Sequence, residues 1–211
     1  NCSLENDVLP TLIKDKRVSG QKFDNFFLDI GTPKNLLYAK KKLVNYLRKP
    51  AIFLDRDGTI NEDLGYTHKI KDLKFCKGII KGLQKLQRKK ILLFIITNQA
   101  GIGKGIFSLN KFYKFQQYMK TICIKKNILI NDFEFCPYHP KAKIKKYRKK
   151  TNLRKPGNLM IKNILKHWPV NLSKSVMIGD QKSDYLCAKK SNIKFFYSQR
   201  DFMKLVSKIK I

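Results

Sequence analysis

The feature that most constrains the fold is a series of short apolar runs that alternate with helix-like stretches from residue 51 onward. The strand-like runs are residues 51–55, 91–97, 132–136, 175–180 and 193–197. The stretches with helical spacing are residues 78–89, 108–126, 158–167 and 182–190. Continuous apolar runs of this length are typical of strands covered on both faces. The alternation therefore predicts an α/β protein with a doubly wound parallel sheet.

The first 50 residues do not continue this series. SLENDVLPTLIKDKR predicts a capped helix, and QKFDNFFLDIGTPKNLLYAKKKL predicts a strand, a turn and a helix. Neither segment completes a strand–helix–strand unit. We therefore predict that residues 1–48 are the end of a preceding domain and that residues 49–211 form the α/β domain.

The chain is strongly basic, with 46 Lys and Arg residues against 15 Asp and Glu residues and a formal net charge of +31. Such a balance suggests a nucleic-acid or anionic membrane partner, but Lys, Ile and Asn are all abundant, as they are in proteins from AT-rich genomes. We find no interleaving of aromatic and basic residues of the kind that stacks bases. Nucleic acid is therefore not the expected partner.

The compartment is indicated by two absences in the sequence. No stretch approaches 18 apolar residues, and no signal-peptide pattern is visible, so no membrane partner is expected. The five cysteines are odd in number and none lies close in sequence to another, so no disulfide framework is visible. These observations favour a reduced, cytoplasmic protein.

Polar side chains follow four of the predicted strands. They are Asp55 and Asp57 after the first; Thr97, Asn98 and Gln99 after the second; Arg154 and Lys155 in the loop after the third; and Asp180 and Asp184 after the fourth. Ligands of parallel sheets bind beyond the carboxyl ends of the strands, so these groups should meet in one place. Several carboxylates with few other ligands suit Mg²⁺, which readily bridges to phosphate. One carboxylate could attack phosphorus while another transfers the proton.

These residues also carry a family resemblance. DRDGTIN, ITNQ, RKPG and GDQKSD, in this order over residues 51–200, resemble the four motifs of the haloacid dehalogenase (HAD) phosphatases. Within that superfamily, FLDRDGTINED, TNQAGIGKG, CPYHP and RKPGNLM resemble the family of D-glycero-D-manno-heptose-1,7-bisphosphate 7-phosphatase and histidinol-phosphatase. The resemblance implies the Rossmann-like HAD fold. No large cap insertion is visible between residues 58 and 77 or between 98 and 131.

The resemblance implies a role for each motif residue. Asp55 would be the nucleophile and Asp57 the general acid and base, while Thr97 and Lys155 would bind the phosphoryl group. Mg²⁺ would be held by Asp55, the backbone carbonyl of Asp57, and Asp180. The residues expected around the substrate or its phosphate are Asn98, Gln99, Arg154 and Lys182. Asp184 would orient Lys182 or its loop rather than ligate the metal.

One departure from the family concerns a structural zinc in the loop before the RKP segment. The family holds this ion with Cys-x-His at one end of the loop and Cys-x-Cys at the other. Here Cys136 and His139 have the spacing Cys-x-x-His, and Thr151-Asn152-Leu153 stands where the second pair should fall. A structural zinc needs four nitrogen or sulfur ligands, and only two are visible. We therefore expect no zinc, and a loop over residues 137–157 that is mobile or held by packing.

The N-terminal stretch has a resemblance of its own. SLENDVLPTL and FFLDIGTPKNLLYAKK resemble the end of a sugar-nucleotidyltransferase that makes nucleotide-activated heptose, in which the aspartate matching Asp29 lies near the metal. The glycine-rich nucleotide loop is absent, so residues 1–42 should not be active alone. The resemblance implies fusion or association with a nucleotidyltransferase, which fits the synthesis of nucleotide-heptose for lipopolysaccharide, capsule or S-layer glycans better than histidine synthesis.

The sequence thus predicts Mg²⁺-dependent hydrolysis of a sugar phosphate monoester through an aspartyl-phosphate. The resemblance favours the 7-phosphate of D-glycero-D-manno-heptose 1,7-bisphosphate as the scissile group, in a small anionic substrate. Two alternatives remain open at this point. One is histidinol-phosphatase, and the other is a nucleic-acid 3′-phosphatase or binding protein, prompted by the net charge of +31.

Overall fold

The computed structural model describes residues 2–209 and contains one parallel sheet. Its strands are β1 (Ala51–Leu54), β2 (Leu92–Asn98), β3 (Asp132–Cys136), β4 (Val176–Gly179) and β5 (Lys194–Tyr197). They lie side by side in the order β3-β2-β1-β4-β5, and all four pairings are parallel. The predicted α/β fold with a parallel sheet is confirmed, and each strand coincides with one of the apolar runs.

The helices are α1 (Leu9–Lys14), α2 (Pro33–Leu47), α3 (Ile79–Arg88), α4 (Ala100–Gly103), α5 (Leu109–Lys125), α6 (Leu159–His167), α7 (Lys182–Lys190) and α8 (Phe202–Lys208). Of these helices, α3, α5, α6, α7 and α8 cover the two faces of the sheet. Ile52 and Leu54 of β1 join a core with residues of α3, α5 and α8. Ala51 and Phe53, whose side chains point the other way, join a second core with α6 and α7. The sheet is therefore doubly wound, and all four residues of β1 are buried.

The middle position of β1 explains where the polar residues meet. Leu54 pairs in register with Ile95 of β2 on one side and with Ile178 of β4 on the other. β1 and β4 consequently end at nearly the same level, and β2 continues from Ile95 to Asn98. The segments that follow the three strands emerge at one edge of the sheet. This edge is the one at which ligands of open parallel sheets bind.

The chain divides into two compact units, with the division between Leu43 and Val44. The second unit contains the whole sheet as one body, so no separate cap domain is inserted among its described residues. The assignment of residues 1–48 to a preceding domain stays a prediction. No helix in residues 2–209 is both long and apolar enough to cross a membrane.

The strand predicted within residues 21–32 of the first unit is wrong. Residues 21–30 have no regular secondary structure, and Phe23 and Phe27 are largely exposed. A strand needs a neighbour to receive its backbone hydrogen bonds, and none of the strands in residues 2–209 lies within this unit. The predicted helix that follows is present as α2. Asp29, at the predicted turn, accepts hydrogen bonds from Gly31 N (2.8 Å) and Asn35 Nδ2 (2.9 Å).

The contact between α3 and α8 gives a test of the packing. A Cβ atom added at Gly82 would overlap Phe202 and lie 2.9 Å from its Cε1 atom, and Phe202 is fully buried. We expect Gly82→Ala to lower the free energy of unfolding by about 1–3 kcal/mol, although alanine favours helices, because the core must shift to admit the methyl group.

Urea denaturation checks this expectation, with Gly20→Ala as the matched control because nothing lies within 4 Å of a Cβ at Gly20. The control should stay within about 0.5 kcal/mol of the parent protein. Equal stability of the two variants would contradict the close approach of α3 and α8.

Candidate active site

A pocket of about 470 Å³ opens at the carboxyl ends of β1, β2 and β4. The predicted site residues that line it are Asp55, Asp57, Thr97, Asn98, Gln99, His139, Arg154, Lys155, Asp180 and Asp184. A second pocket of about 670 Å³ shares three of these residues and is otherwise lined largely by the basic loop, including Lys141 and Lys150. The structure therefore brings nearly all of the predicted residues together.

The centre of the site is a buried ion-pair cluster. Lys155 Nζ lies 2.7 Å from Asp55 Oδ1 and 2.6 Å from Asp184 Oδ1, and it donates a hydrogen bond to the carbonyl oxygen of Ile96 (3.0 Å). Lys155 and Asp184 are almost wholly shielded from solvent, and Asp55 only slightly less so. An unpaired charge at this depth would cost several kcal/mol, so each of these groups depends on the others.

The pKa values follow from this burial. Desolvation raises the pKa of Asp55 to about 7, because the opposing attraction of Lys155 is partly cancelled by the neighbouring Asp184. Burial by itself would lower the pKa of Lys155, but Asp55 and Asp184 outweigh it and raise that pKa. Lys155 therefore stays a cation at neutral pH, while Asp55 exchanges its proton near neutrality in the absence of a further cation.

The second aspartate of the DRDGT motif has different partners. The Asp57 carboxylate accepts hydrogen bonds from Arg56, from Asn61 Nδ2 (3.0 Å) and from Gln99 Nε2 (2.8 Å). Its side chain keeps 18% of its surface exposed to the pocket. Asp55 and Asp57 are thus two residues apart in sequence and held by separate sets of donors.

The residues at the end of β2 mainly position other groups. Asn98 accepts a hydrogen bond from Lys155 N (3.0 Å) and donates one to Lys155 O (3.1 Å), which fixes the backbone that carries this lysine. Gln99 Nε2 also donates to Thr97 Oγ1 (2.9 Å), so the Thr97 hydroxyl is tied to the same network as Asp57. Both amides lie in the pocket, as predicted, but their described contacts are with protein groups.

The acidic residues fit a hard divalent cation. Oxygen atoms of Asp55, Asp180 and Asp184 lie within 4.8 Å of one another. Asp180 Oδ1 is buried without a hydrogen-bond partner, whereas Asp184 is engaged by Lys155 and by the backbone N–H of Gln181 (3.0 Å). Burial raises the pKa of Asp180, a shift that a bound cation would oppose. Oxygen donors of this kind suit Mg²⁺.

Gly58 makes this arrangement possible. Its φ angle is +77°, and a Cβ atom there would lie 2.7 Å from Asp180 Cγ. A side chain at position 58 would therefore push the Asp180 carboxylate out of the acidic group. The glycine of the DRDGT motif is thus explained by the close approach of the loop after β1 to the loop after β4.

Lys182 takes another place than expected, because it is exposed and is not among the described residues that line the pocket. Asp184 accepts a hydrogen bond from the backbone N–H of Gln181, in the loop that we expected it to orient, and it also contacts Lys155, a contact that was not predicted. The reason is that Lys182 is the first residue of α7 and points to solvent, while Asp184 at the third position turns back toward the sheet.

Cys136 and His139, which lie where the family holds a structural zinc, do not fit a zinc site. Burial raises the pKa of the Cys136 thiol, and its Sγ lies 3.7 Å from the carbonyl oxygen of Tyr138, to which it donates a hydrogen bond. His139 Nδ1 accepts a hydrogen bond from Lys141 N (3.0 Å). Within residues 2–209, the group of side chains that could hold an ion is acidic and includes neither residue. A structural zinc would need two further nitrogen or sulfur donors beside Cys136 and His139, and no such group occurs among the described residues.

Protein contacts close this loop instead. Arg148 donates hydrogen bonds to the carbonyl oxygens of Ala142 (2.7 Å) and Lys143 (3.2 Å). The rings of Tyr138 and Tyr147 pack with centroids 5.9 Å apart, and Lys149 Nζ lies 4.0 Å from the centre of the Tyr138 ring. The expectation that packing holds residues 137–157 agrees with these contacts.

Sequence reasoning missed several residues of the site. Arg56 lies between the two aspartates, and Asn61 follows four residues after Asp57 in the same motif, so proximity in sequence was a usable signal for both. Tyr66 and Lys104 also line the pocket, joined by a hydrogen bond from Lys104 Nζ to Tyr66 Oη. Lys104 belongs to the TNQAGIGKG segment of the family resemblance, but no sequence signal marks its contact with Tyr66, because the two residues are far apart in the chain.

Known proteins with similar sequences and structures define the class. A family profile described as "Haloacid dehalogenase-like hydrolase" matches residues 142–197. The D-glycero-beta-D-manno-heptose-1,7-bisphosphate 7-phosphatase of Photorhabdus laumondii is 36% identical over 139 residues, which cover 66% of this chain and 74% of that protein. The protein of the same name from Escherichia coli K12 is 33% identical over 144 residues, covering 68% of this chain and 75% of that one.

A solved structure extends the similarity to the fold. It is the D,D-heptose 1,7-bisphosphate phosphatase of B. bronchiseptica, complexed with magnesium and phosphate. The match covers 75% of this chain and 85% of the B. bronchiseptica chain, with a TM-score of 0.64 and 20% sequence identity. The fold and the site therefore define a phosphatase of the haloacid dehalogenase superfamily, as the motifs indicated. Within it, the chain belongs to the family that contains the D-glycero-beta-D-manno-heptose-1,7-bisphosphate 7-phosphatases.

The buried ion-pair cluster can be tested through stability. Asp184→Asn removes one of the two carboxylates that offset the buried Lys155, and we expect the free energy of unfolding to fall by about 1–3 kcal/mol. Urea denaturation at neutral pH measures the change.

Glu62→Gln is the matched control, because Glu62 pairs with Lys74 at 2.9 Å where both side chains are well exposed. Surface pairs of this kind contribute little, so the control should change stability by no more than about 0.5 kcal/mol. A loss as large in the control as in Asp184→Asn would show that burial does not distinguish the two pairs.

Proposed function

We propose that this protein hydrolyses the 7-phosphate of D-glycero-D-manno-heptose 1,7-bisphosphate with Mg²⁺ as cofactor. The observation that carries the chemistry is the buried pair of Asp55 and Lys155 beside the unpartnered oxygen of Asp180. A nucleophilic carboxylate, a cation for the phosphoryl oxygens and a site for a metal ion are what aspartyl-phosphate chemistry requires. The names of the relatives, at 33–36% identity, support this substrate.

In the first step, a carboxylate oxygen of Asp55 forms a bond to phosphorus, and the bond from phosphorus to the sugar oxygen breaks. Asp57 gives its proton to that oxygen as it leaves. Lys155 and the Thr97 hydroxyl bind the phosphoryl oxygens, where negative charge accumulates. The Asp55 carboxylate is already oriented by Lys155, whose Nζ atom lies 2.7 Å from Asp55 Oδ1.

In the second step, water attacks phosphorus, Asp57 takes the proton from that water, and the bond from phosphorus to Asp55 breaks. Inorganic phosphate leaves and both aspartates return to their starting states. Asp55, Asp180 and the backbone carbonyl of Asp57 would hold Mg²⁺, which when bound offsets the charge of the carboxylates and the phosphoryl group. Asp184 then acts on the reaction only through Lys155.

The rest of the substrate would meet a basic surface. Arg154 and Lys104 line the pocket, and the Arg154 Nη1 atom is buried without a hydrogen-bond partner. An anionic group remote from the scissile phosphate would give that atom an acceptor. This favours a bisphosphate over histidinol phosphate, whose remote end carries an amine. The names of the relatives further favour the beta anomer.

We also infer that the protein acts in the cytoplasm in nucleotide-heptose synthesis. The five cysteines of the chain are free thiols, which suits a reducing compartment. The likeness of residues 1–42 to a nucleotidyltransferase supports association with that activity and is a proposal that neither the fold nor the relatives address.

Replacement of the nucleophile tests the reaction. Asp55→Asn keeps the shape of the side chain but removes the anion, and we expect phosphate release from heptose bisphosphate to fall at least about 10³-fold. Asp72→Asn is the control, since Asp72 does not line the pocket. Turnover by Asp55→Asn at the rate of the parent protein would rule out the aspartyl-phosphate.

The substrate is tested by comparing phosphate release from both anomers of heptose 1,7-bisphosphate, from histidinol phosphate and from a DNA 3′-phosphate, each with and without Mg²⁺. We expect the highest kcat/KM for the beta anomer and Mg²⁺ dependence throughout. A higher value for histidinol phosphate or for DNA would replace the heptose assignment while leaving the chemistry intact.

The raised pKa of Asp55 predicts a pH dependence of Mg²⁺ binding. Because that pKa is about 7 without metal, Asp55 is protonated below pH 7, and Mg²⁺ must displace the proton. The apparent affinity should fall by up to about tenfold per pH unit below pH 7 and level off above it. Calorimetric titration in two buffers should detect close to one proton released per Mg²⁺ at pH 6 and almost none at pH 9. An affinity for Mg²⁺ that does not change with pH would contradict the assignment of Asp55 as a ligand.

A further inference from the structure

Arg56 is a fully buried cation that lies in sequence between the nucleophile and the acid–base residue. Its side chain has no exposed surface. The guanidinium donates from Nε and Nη2 to Asp57 Oδ1, at 3.0 and 2.9 Å, and from Nη2 to Asp57 Oδ2 at 2.7 Å. Two nitrogen atoms of Arg56 therefore bind one carboxylate, an arrangement that fixes the plane of the carboxylate as well as its distance from the guanidinium.

Other elements fix the guanidinium in turn. Nη2 also donates to the carbonyl oxygen of Thr67 (2.7 Å) and contacts Gln99 Oε1 (3.3 Å). The Cζ atom lies 4.8 Å from the ring centre of Phe115 and 5.6 Å from that of Phe112, both in α5 and both buried. Aromatic faces attract a guanidinium and leave it little room to move. The position of Arg56 is thus set by the loop after β1, the end of β2 and α5.

The remaining donors to Asp57 complete this set. Asn61 Nδ2 donates to Oδ1 and Gln99 Nε2 to Oδ2, so each carboxylate oxygen has donors from two different residues. A carboxylate held in this way cannot rotate about its terminal bond without breaking at least two hydrogen bonds. Asp57 is nevertheless part of the pocket wall, where a leaving oxygen or an attacking water would lie.

We propose that Arg56 is a positioning residue that acts through Asp57. Its fork of N–H groups holds the Asp57 carboxylate in the one orientation from which a proton can pass to the leaving sugar oxygen and, in the second step, from water. Proton transfer needs a heavy-atom separation of about 2.6–3.2 Å, so a small rotation of the carboxylate removes the benefit. This inference rests on the proposed role of Asp57 in the reaction.

Lysine cannot replace arginine at this position. A lysine would keep the positive charge but present one ammonium instead of a planar fork, so the carboxylate would be attracted without being oriented. Arg56→Lys therefore separates orientation from charge. We expect kcat for heptose bisphosphate to fall about 10- to 100-fold and KM to change less than about threefold.

The choice of substrate distinguishes a lost proton transfer from a damaged site. p-Nitrophenyl phosphate has a leaving group that is stable as an anion, so formation of the phosphoenzyme needs no proton, whereas its hydrolysis still needs Asp57 as base. In rapid-mixing experiments, Arg56→Lys should keep the burst of nitrophenolate and show a slowed steady state. Loss of the burst together with the steady state would overturn the proposal, because it would mean that the nucleophile or the phosphate site is disturbed.

A double-mutant cycle shows whether Arg56 acts through Asp57. Asp57→Asn should lower turnover of heptose bisphosphate strongly, and adding Arg56→Lys to that variant should change kcat less than about threefold. If the full effect of Arg56→Lys persists in the Asp57→Asn background, Arg56 acts by another route. If Asp57→Asn alone leaves turnover unchanged, it is the proposed acid–base role, and not the role of Arg56, that fails first.

Two further variants guard against a general loss of structure. Arg148→Lys is the matched control, because Arg148 also donates from Nε and Nη2 to two acceptors but lies exposed in the basic loop, and it should leave kcat unchanged. If Arg56→Lys does not fold, Phe115→Leu loosens the guanidinium from its aromatic face and keeps its hydrogen-bonding groups. It should show the same burst with a slower steady state, and a parent-like steady state would overturn the proposal.

Discussion

The structure of the site depends on one buried cation. Lys155 Nζ lies within 2.7 Å of both Asp55 and Asp184 and is shielded from water, so the three charged groups are stabilised chiefly by one another. The backbone of Lys155 is fixed by the amide of Asn98, and its ammonium group by the carbonyl of Ile96. Because two carboxylates share one lysine and Asp180 stands beside them, the cluster carries excess negative charge. Burial raises the pKa of Asp55, and the neighbouring carboxylate of Asp184 adds to that rise against the attraction of Lys155. The excess of carboxylates also makes the site suitable for a divalent cation.

The two aspartates of one motif serve different purposes because their surroundings differ. Asp55 is buried against Lys155, while Asp57 is turned toward Arg56 and the pocket opening. The chain bends at Arg56, between the two aspartates, and turns after them at Gly58, whose positive φ angle is open to glycine at little cost. The proposed nucleophile and the proposed proton carrier thus come from three consecutive residues, with Arg56 between them directed inward to the aromatic residues of α5.

Much of the fold could be predicted because its three central strands, β1, β2 and β4, are largely buried and therefore apolar. The site could be located because polar residues follow four of the apolar runs and are conspicuous there. The errors have physical causes: residues 21–30 are apolar enough for a strand but have no partner strand, and Lys182 is exposed at the start of α7 instead of lining the pocket. Which way Arg56 points could not be read from its spacing, since it depends on Phe112 and Phe115, more than fifty residues away in sequence.

The basic loop beside the pocket affects how fast an anionic substrate associates with the protein. Lys141, Lys150 and Lys190 line the cavity that adjoins the acidic centre, and Arg154 belongs to both. A concave surface of one sign concentrates oppositely charged solutes, so a doubly phosphorylated sugar would be drawn to the rim before it contacts the metal site. The carboxylates alone would repel such a molecule. Capture at low solute concentration would therefore be governed by long-range attraction to the loop, and salt would slow it more than it slows the chemistry that follows.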